Sequence, residues 1–249
     1  MFNSLVVPVY KTIINRRDTV IFLAFSMIPL LIPFLAGNMD GLDIDYTKSF
    51  LNFLEMTLLT QYQLVLPTLI FSLLISSVFR EEIDSKVLFL YKDLSRSSIF
   101  KAKITGLTLV YLLFVVATCV AAFLTYYLIM VPNFSLNSSL FPTTSQAIMK
   151  SLLMILSLLL LNAVTVVVVS AISIKSKTIV AAIVGVFQCL FFVVAPLLVG
   201  MKYFTPITYA NEFEKTHLLS AILMIIGLSV LYYLVGYWNA HRLFKKVEF

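Results

Sequence analysis

Side chains able to do chemistry are scarce in this chain, and one stretch collects them. Residues 79–104, reading FREEIDSKVLFLYKDLSRSSIFKAKI, hold ten of the thirty Lys, Arg, Asp and Glu residues, with a long apolar run on either side. Arg80, Glu81, Glu82, Asp84 and Lys86 make a polar turn there. Val87, Leu88, Phe89, Leu90 and Tyr91 follow as an apolar run too short to cross a bilayer. Ser95 is placed to cap the helix that continues through Arg96 and Lys103. A short helix exposing apolar and aromatic residues between charged turns suits docking, its apolar face filling a partner's groove and its charges fixing register. The same pattern also suits a helix lying on lipid, and both readings stay open on the residues alone. Catalytic signatures are missing. None of the seven glycines opens a G-x4-G-K-[S/T] phosphate loop, and no G-x-S-x-G elbow, H-E-x-x-H pair or cysteine ligand cluster occurs.

The elements that must position this stretch are membrane helices. Hydrophobic residues make up 61% of the 249, mean hydropathy is +1.01, and only 12% of residues are charged, against about 25% in an average soluble domain. A soluble core has no room for so much apolar surface. The long unbroken runs also exclude the alternating pattern of a barrel. At ~20 apolar residues per crossing, the chain is predicted to be an all-α polytopic membrane protein with six spans, at about 19–37, 58–79, 104–131, 148–173, 178–200 and 218–239. Pro29 and Pro33 in the first span and Pro67 in the second predict bent helices whose freed carbonyls are satisfied by neighbours. Ahead of the spans, Phe2, Leu5, Val6, Val9, Ile13 and Ile14 recur at helical spacing opposite Lys11, Thr12, Asn15 and Arg16. That predicts an interfacial amphipathic helix over residues 1–17.

Charge sets the orientation. With the N-terminus inside, cytosolic segments carry Lys11, Arg16, Arg17, Arg80, Lys86, Lys92, Arg96, Lys101, Lys103, Lys175, Lys177, Arg242, Lys245 and Lys246. Only Lys48, Lys150, Lys202 and Lys215 fall outside. By the positive-inside rule both termini are expected in the cytosol. His217 and His241 then lie at opposite faces and share no metal. The spans hold almost no ionisable side chains, which argues against a proton- or sodium-driven carrier. Their polar residues are mild: Gln61, Gln63, Asn162 and Gln188, either interhelical hydrogen-bonding groups or part of a pathway. Glu55 is the one acid near a span's outer mouth, where solvent is expected to reach it. Cys119 and Cys189 lie within apolar runs and read as reduced packing residues, with a disulfide as the alternative.

Taken together, these segments resemble the permease subunit of a type-2 ABC exporter, over the whole chain. That family has an interfacial helix before six spans, like residues 1–17. After span two it carries an acidic E-x-E-x-G-T stretch, a coupling helix, then P-[hydrophobic]-S-R and a Lys opening span three. Here Glu81-Glu82-Ile83-Asp84-Ser85-Lys86 is followed by the apolar run, Leu94-Ser95-Arg96 and Lys103-Ile104, with Ser85-Lys86 for Gly-Thr and Asp93 for Pro. Between spans five and six the family places a re-entrant outer segment often reading N-P-L-T-Y. Residues 204–212 are similar, with Thr205 for Asn ahead of Pro206 and Tyr209, and Pro196 with Gly200 can break span five to begin it.

The resemblance implies a single permease domain over residues 1–249, with a cytosolic coupling loop at 80–103 and an outer re-entrant segment at 196–212. It implies two copies of a separate ABC ATPase subunit carrying ATP and Mg, and a second permease, identical or homologous. Glu81, Glu82, Asp84, Val87, Leu88, Phe89, Leu90, Tyr91 and Arg96 would dock the ATPase; Pro196, Pro206 and Tyr209 would form the outer gate. No cofactor is expected on this chain itself, nor any nucleic acid. A bacterial plasma membrane is the expected location, and the cargo hydrophobic or amphipathic: a drug, an antimicrobial peptide or a lipid. One alternative is an ATP-independent membrane scaffold or immunity protein. A more distant one is an intramembrane protease, because Glu81-Glu82 before Lys86, and Phe213 four residues before His217, loosely resemble CAAX-type protease motifs.

Overall fold

The computed structural model describes residues 2–36, 49–85, 95–134, 136–213 and 217–247, and every regular element among them is helical. The chain opens with α1 (Phe2–Ile14), then α2 (Arg17–Ala24), a 3-10 stretch at Phe25–Leu31 and α3 (Ile32–Ala36). Pro29 explains the 3-10 stretch. It offers no N–H to the Phe25 carbonyl four residues back, and Gln61 Nε2 donates to that oxygen instead, at 3.1 Å. The expectation that a neighbour satisfies a carbonyl freed by proline is met here.

The second apolar stretch departs from the expected limits. Helix α4 (Phe50–Gln63) begins eight residues before the anticipated 58, and α5 (Leu66–Ser76) continues at a 63° bend through a π-helical turn at Ser77–Glu81 into the single turn α6 (Glu82–Asp84). The early start has a physical cause. Ser49 Oγ caps the helix by accepting from Asn52 N–H, and Phe50 and Phe53 pack their rings on Tyr126. The bend falls before Pro67, at Val65, whose φ of 61° is the left-handed region that a β-branched side chain resists. Leu66 N–H bonds Leu64 C=O across it, a strained γ-turn.

Helix α7 (Arg96–Leu124) is capped by Ser95, which accepts from Ser98 N–H as the sequence indicated. It runs on through a π-helical stretch (Thr125–Met130) into α8 (Val131–Phe134). Then come α9 (Ser145–Lys175), α10 (Thr178–Val194), α11 (Pro206–Asn211) and α12 (Leu218–Lys245). Among the described residues, five helices are long and apolar enough to cross a membrane, six with the bent α4–α5 pair counted as one. This is the architecture of a multi-pass membrane protein.

Helix α9 is the centre of the bundle. Over half (56%) of its apolar window is buried, against 17% for α12, whose Leu219, Leu223, Leu231 and Leu234 face outward as lipid-facing residues do. Small residues let the helices approach. A Cβ on Gly236 would lie 2.8 Å from Val167 on α9, and one on Gly185 of α10 would collide with Ser72 Oγ on α5. Phe22 is sandwiched between Phe71 and Phe114, ring centroids 4.6 and 4.4 Å away, joining α2, α5 and α7. Cys119 and Cys189 are both free thiols.

Candidate functional site

The described ends of the charged stretch, residues 79–85 and 95–104, meet in a hub at one end of the bundle. Arg16 follows α1, Glu81 and Glu82 end the second apolar stretch, and Lys103 lies two turns into α7. Glu82 joins all three elements: its Oε1 accepts from Arg16 Nη2 at 3.0 Å and its Oε2 pairs with Lys103 Nζ at 2.8 Å. Arg16 Nη1 also reaches Glu81 Oε2 at 3.1 Å. Two cations and two carboxylates balance, which is the condition for holding a lysine at 2% exposure. The π-helical turn helps. Glu82 N–H bonds the Phe79 carbonyl, so Val78 C=O loses its α-helical partner and accepts from Lys103 Nζ at 2.7 Å. The ammonium also lies over the rings of Phe79 and Phe244, 5.1 and 5.9 Å from their centroids.

Helix α1 is fixed beside this hub by packing as well as charge. Ile13 is buried, and Val9 and Ile13 lie against Gly106 of α7, where no side chain keeps them away. The end of α12 is tied in too. Arg96 Nη1 donates to the Lys245 carbonyl at 2.7 Å, satisfying one of the carbonyls a helix terminus leaves unpaired. Ser97 Oγ bonds His241 Nε2 at 2.9 Å.

Of the residues expected to dock a partner, Glu81, Glu82, Asp84 and Arg96 therefore stand at one end of the bundle, in different roles. Glu82 is an internal joint and Arg96 caps α12. Glu81 has a side chain 63% exposed, and Asp84 pairs with Arg80 one turn back at 2.8 Å. Val87, Leu88, Phe89, Leu90 and Tyr91 lie outside the described residues. The protease-like pattern does not assemble. Lys103, and with it Glu82, sits at the Phe244 end of α12, whereas His217 precedes its first residue. A helix of that length rises roughly 40 Å.

The polar residues of the spans separate into two groups. Gln61 and Asn162 line one small cavity of about 30 Å³ at the middle of the bundle, with Tyr62, Tyr111, Phe71 and Phe114. Gln61 bonds Thr118 Oγ1 at 3.4 Å as well as Phe25 C=O, and Asn162 Nδ2 donates to Leu158 C=O of its own helix at 3.0 Å. Gln63, one position past Tyr62, is exposed and takes no part. Gln188 donates to Thr165 Oγ1 at 3.1 Å and faces a separate apolar groove between α9, α10 and α12. The expected set Gln61, Gln63, Asn162 and Gln188 thus does not form one line.

At the other end of the bundle, the chain after α10 turns back on itself. A 3-10 turn at Ala195–Leu197 contains Pro196, Gly200 adopts φ 88°, and a second 3-10 turn at Lys202–Phe204 leads to α11 with Pro206 at its first position. Ile207 and Ala210 bury into the core beside α4, α9, α10 and α12. Tyr209 Oη donates to Tyr203 C=O at 3.1 Å, and Tyr232 Oη on α12 donates to Phe204 C=O at 2.8 Å, closing the turn. Lys202 bonds Glu212 at 2.9 Å, which holds the lysine above its ordinary pKa.

Sequence reasoning missed Arg16 and Lys103 as partners of Glu82. A signal existed for Lys103: it shares the helix face of Ile99, Phe100 and Leu107, all buried, and a lysine on such a face requires a counter-charge. No protein-family model, curated sequence or solved structure matches the chain.

Proposed function

We propose that this chain is the membrane-spanning permease subunit of an ATP-driven, type-2 ABC exporter. It would work with a separate ATPase subunit in two copies, which carries ATP and Mg, and with a second permease. The observation that carries this reading is the hub. Arg16, Glu82 and Lys103 lock α1, the end of α5–α6 and the start of α7 together, and the last two flank residues 86–94 in the sequence, so a push on that segment would reach three helices at once. On this reading the hub faces the cytosol with both termini, in keeping with the cation distribution. The turned-back segment around Pro206 and Tyr209 is the outer gate. The cargo is hydrophobic or amphipathic, moved outward along the boundary between two permeases, since the cavity between Gln61 and Asn162 holds little more than a water or two.

That same closed middle favours a second reading, an ATP-independent scaffold or immunity protein that moves nothing. A mild-detergent pull-down of the tagged chain from its native membranes, with mass spectrometry of what accompanies it, separates the two. A stoichiometric ATPase with a phosphate loop is expected, and Phe89→Asp or Leu90→Asp should abolish its association while membrane insertion persists. A chain arriving alone after chemical crosslinking in the membrane selects the scaffold.

A further inference from the structure

Helix α4 ends within the bundle, at Gln63, just ahead of the left-handed Val65. A helix end leaves its last carbonyls to find other partners. At membrane depth such irregular backbone is tolerated only where it is buried in protein or lines a water-filled space. The small cavity of about 30 Å³ lies at this break. On its wall are Gln61 and Tyr62 from the last turn of α4, Pro67 and Thr68 from the first turn of α5, Tyr111 of α7 and Asn162 near the middle of α9. The Tyr62 carbonyl has found one partner, the Cys189 thiol, which donates to it at 3.2 Å. The Tyr62 hydroxyl, on a residue 3% exposed, has no hydrogen-bond partner among the described residues. The neighbouring Cys189 sulfur is at best a weak acceptor for it. The amides on the wall retain capacity of the opposite kind. Gln61 gives its N–H groups to Phe25 C=O and Thr118 Oγ1, and Thr118 reaches its Oε1 only at 3.5 Å. Asn162 gives an N–H to Leu158 C=O and pairs with Tyr111. An amide oxygen has two lone pairs, so each can accept once more.

We propose that this cavity is a binding site for structural water, which accepts from the Tyr62 hydroxyl and donates to Gln61 Oε1 and Asn162 Oδ1. A buried water makes about three hydrogen bonds and needs roughly 10–15 Å³ of such space, so the site suits one or two waters. No charged side chain lines the cavity, and an ion of either sign would be buried there without compensation. A neutral molecule that both donates and accepts, and is no larger than water, is what the wall matches. Bound there, it ties the broken end of α4 to α9. Gln61 carries the tie on to the first span and to α7, through Phe25 and Thr118. The polar groups exposed by the break are then met by solvent in the middle of the bundle. The inference does not depend on an ATPase partner.

The test is X-ray hydroxyl-radical footprinting of the full chain in nanodiscs, read by peptide mass spectrometry. Ionising a bound water oxidises the side chains that touch it, however deeply they are buried. Tyr62 and Tyr111, 3% and 5% exposed, should be oxidised about tenfold faster than Phe79 and Phe100, which are buried away from the cavity. Tyr62→Phe removes the donor with little change of shape. With water in place the variant gives up a hydrogen bond, so Tm should fall and oxidation of Tyr111 should drop about fivefold. In a dry cavity the lone hydroxyl would only carry its desolvation cost, and removing it would raise Tm. The proposal is overturned if Tyr62 and Tyr111 are oxidised no faster than Phe79 and Phe100. It is overturned equally if Tyr62→Phe raises Tm or leaves oxidation of Tyr111 unchanged. The footprint of the unsubstituted chain decides the matter should the variant fail to fold.

Discussion

Removing Glu82 should cost this protein far more than removing its neighbour Glu81, although both contact Arg16. The difference follows from Lys103. At 2% exposure its ammonium has Glu82 as its one counter-charge among the described residues, 2.8 Å away, with the Val78 carbonyl and two ring faces completing its shell. Glu82→Ala leaves that charge buried and uncompensated, a change worth about 3–5 kcal/mol. The Arg16–Glu81 contact adds little, since Glu81 is mostly exposed, and such pairs contribute about 0–1 kcal/mol. At about 2–4 °C per kcal/mol for a chain of this size, Glu82→Ala should lower Tm by about 6–20 °C and Glu81→Ala by at most a few degrees. The assay is thermal unfolding of the detergent-purified protein, followed by thiol labelling of buried Cys189. A further variant tests the cause. Replacing both partners, Glu82→Met with Lys103→Met, removes the stranded charge and should recover at least half the loss. Equal losses for Glu81→Ala and Glu82→Ala, or a double variant no better than Glu82→Ala, would refute the buried-pair account.

Two further outcomes follow from backbone and packing. Gly185→Ala drives a methyl into Ser72 Oγ, 2.9 Å from Ser72 Cβ, and overpacking of that kind costs about 1–3 kcal/mol; adding Ser72→Gly should restore Tm. The control is Gly227→Ala, which meets no atom within 4 Å and should leave Tm unchanged or slightly raised. Val65→Gly relieves a left-handed β-branched residue and should stabilise by about 1 kcal/mol; a fall in Tm would show that the half-buried valine packs better than its backbone is strained.

What the sequence made legible is what periodicity and charge encode. The apolar runs, the Ser95 cap, the helix before the first span and the need to satisfy a carbonyl near Pro29 could all be read from residue types and spacing. The early start of α4 could not. Phe50 and Phe53 sit among polar and acidic residues, and they join a helix because Tyr126, more than seventy positions later, offers them rings. Pro67 announced a bend but not its position: the left-handed residue is Val65, a type that local preference places in strands. The meeting of Gln61 with Asn162 was equally hidden, because two isolated amides a hundred residues apart carry no pattern. Glu82 was visible as one acid among three, and only its depth distinguishes it from Glu81 and Asp84.

These features converge on one stretch of chain. The α4–α5 span carries Glu55 bonded to Ser151 of α9, Gln61 and Tyr62 at the central cavity, the strained turn at Val65, and Glu82 at the hub. A left-handed residue other than glycine costs about 1–2 kcal/mol, so part of the energy needed to change the 63° bend is already present in this conformation. Packing opposes that change on both sides of the turn. Tyr62 and Leu58 are held in the core with α9 and α10, and Ser72 is pressed against Gly185. Along the chain, displacement of Glu82 at the hub would reach Glu55 through rotation at Val65. Relief of the strain in Val65→Gly should loosen the link between the hub and the turn while raising stability, and pairing it with Glu82→Ala in a double-mutant cycle measures the coupling of Val65 to the hub.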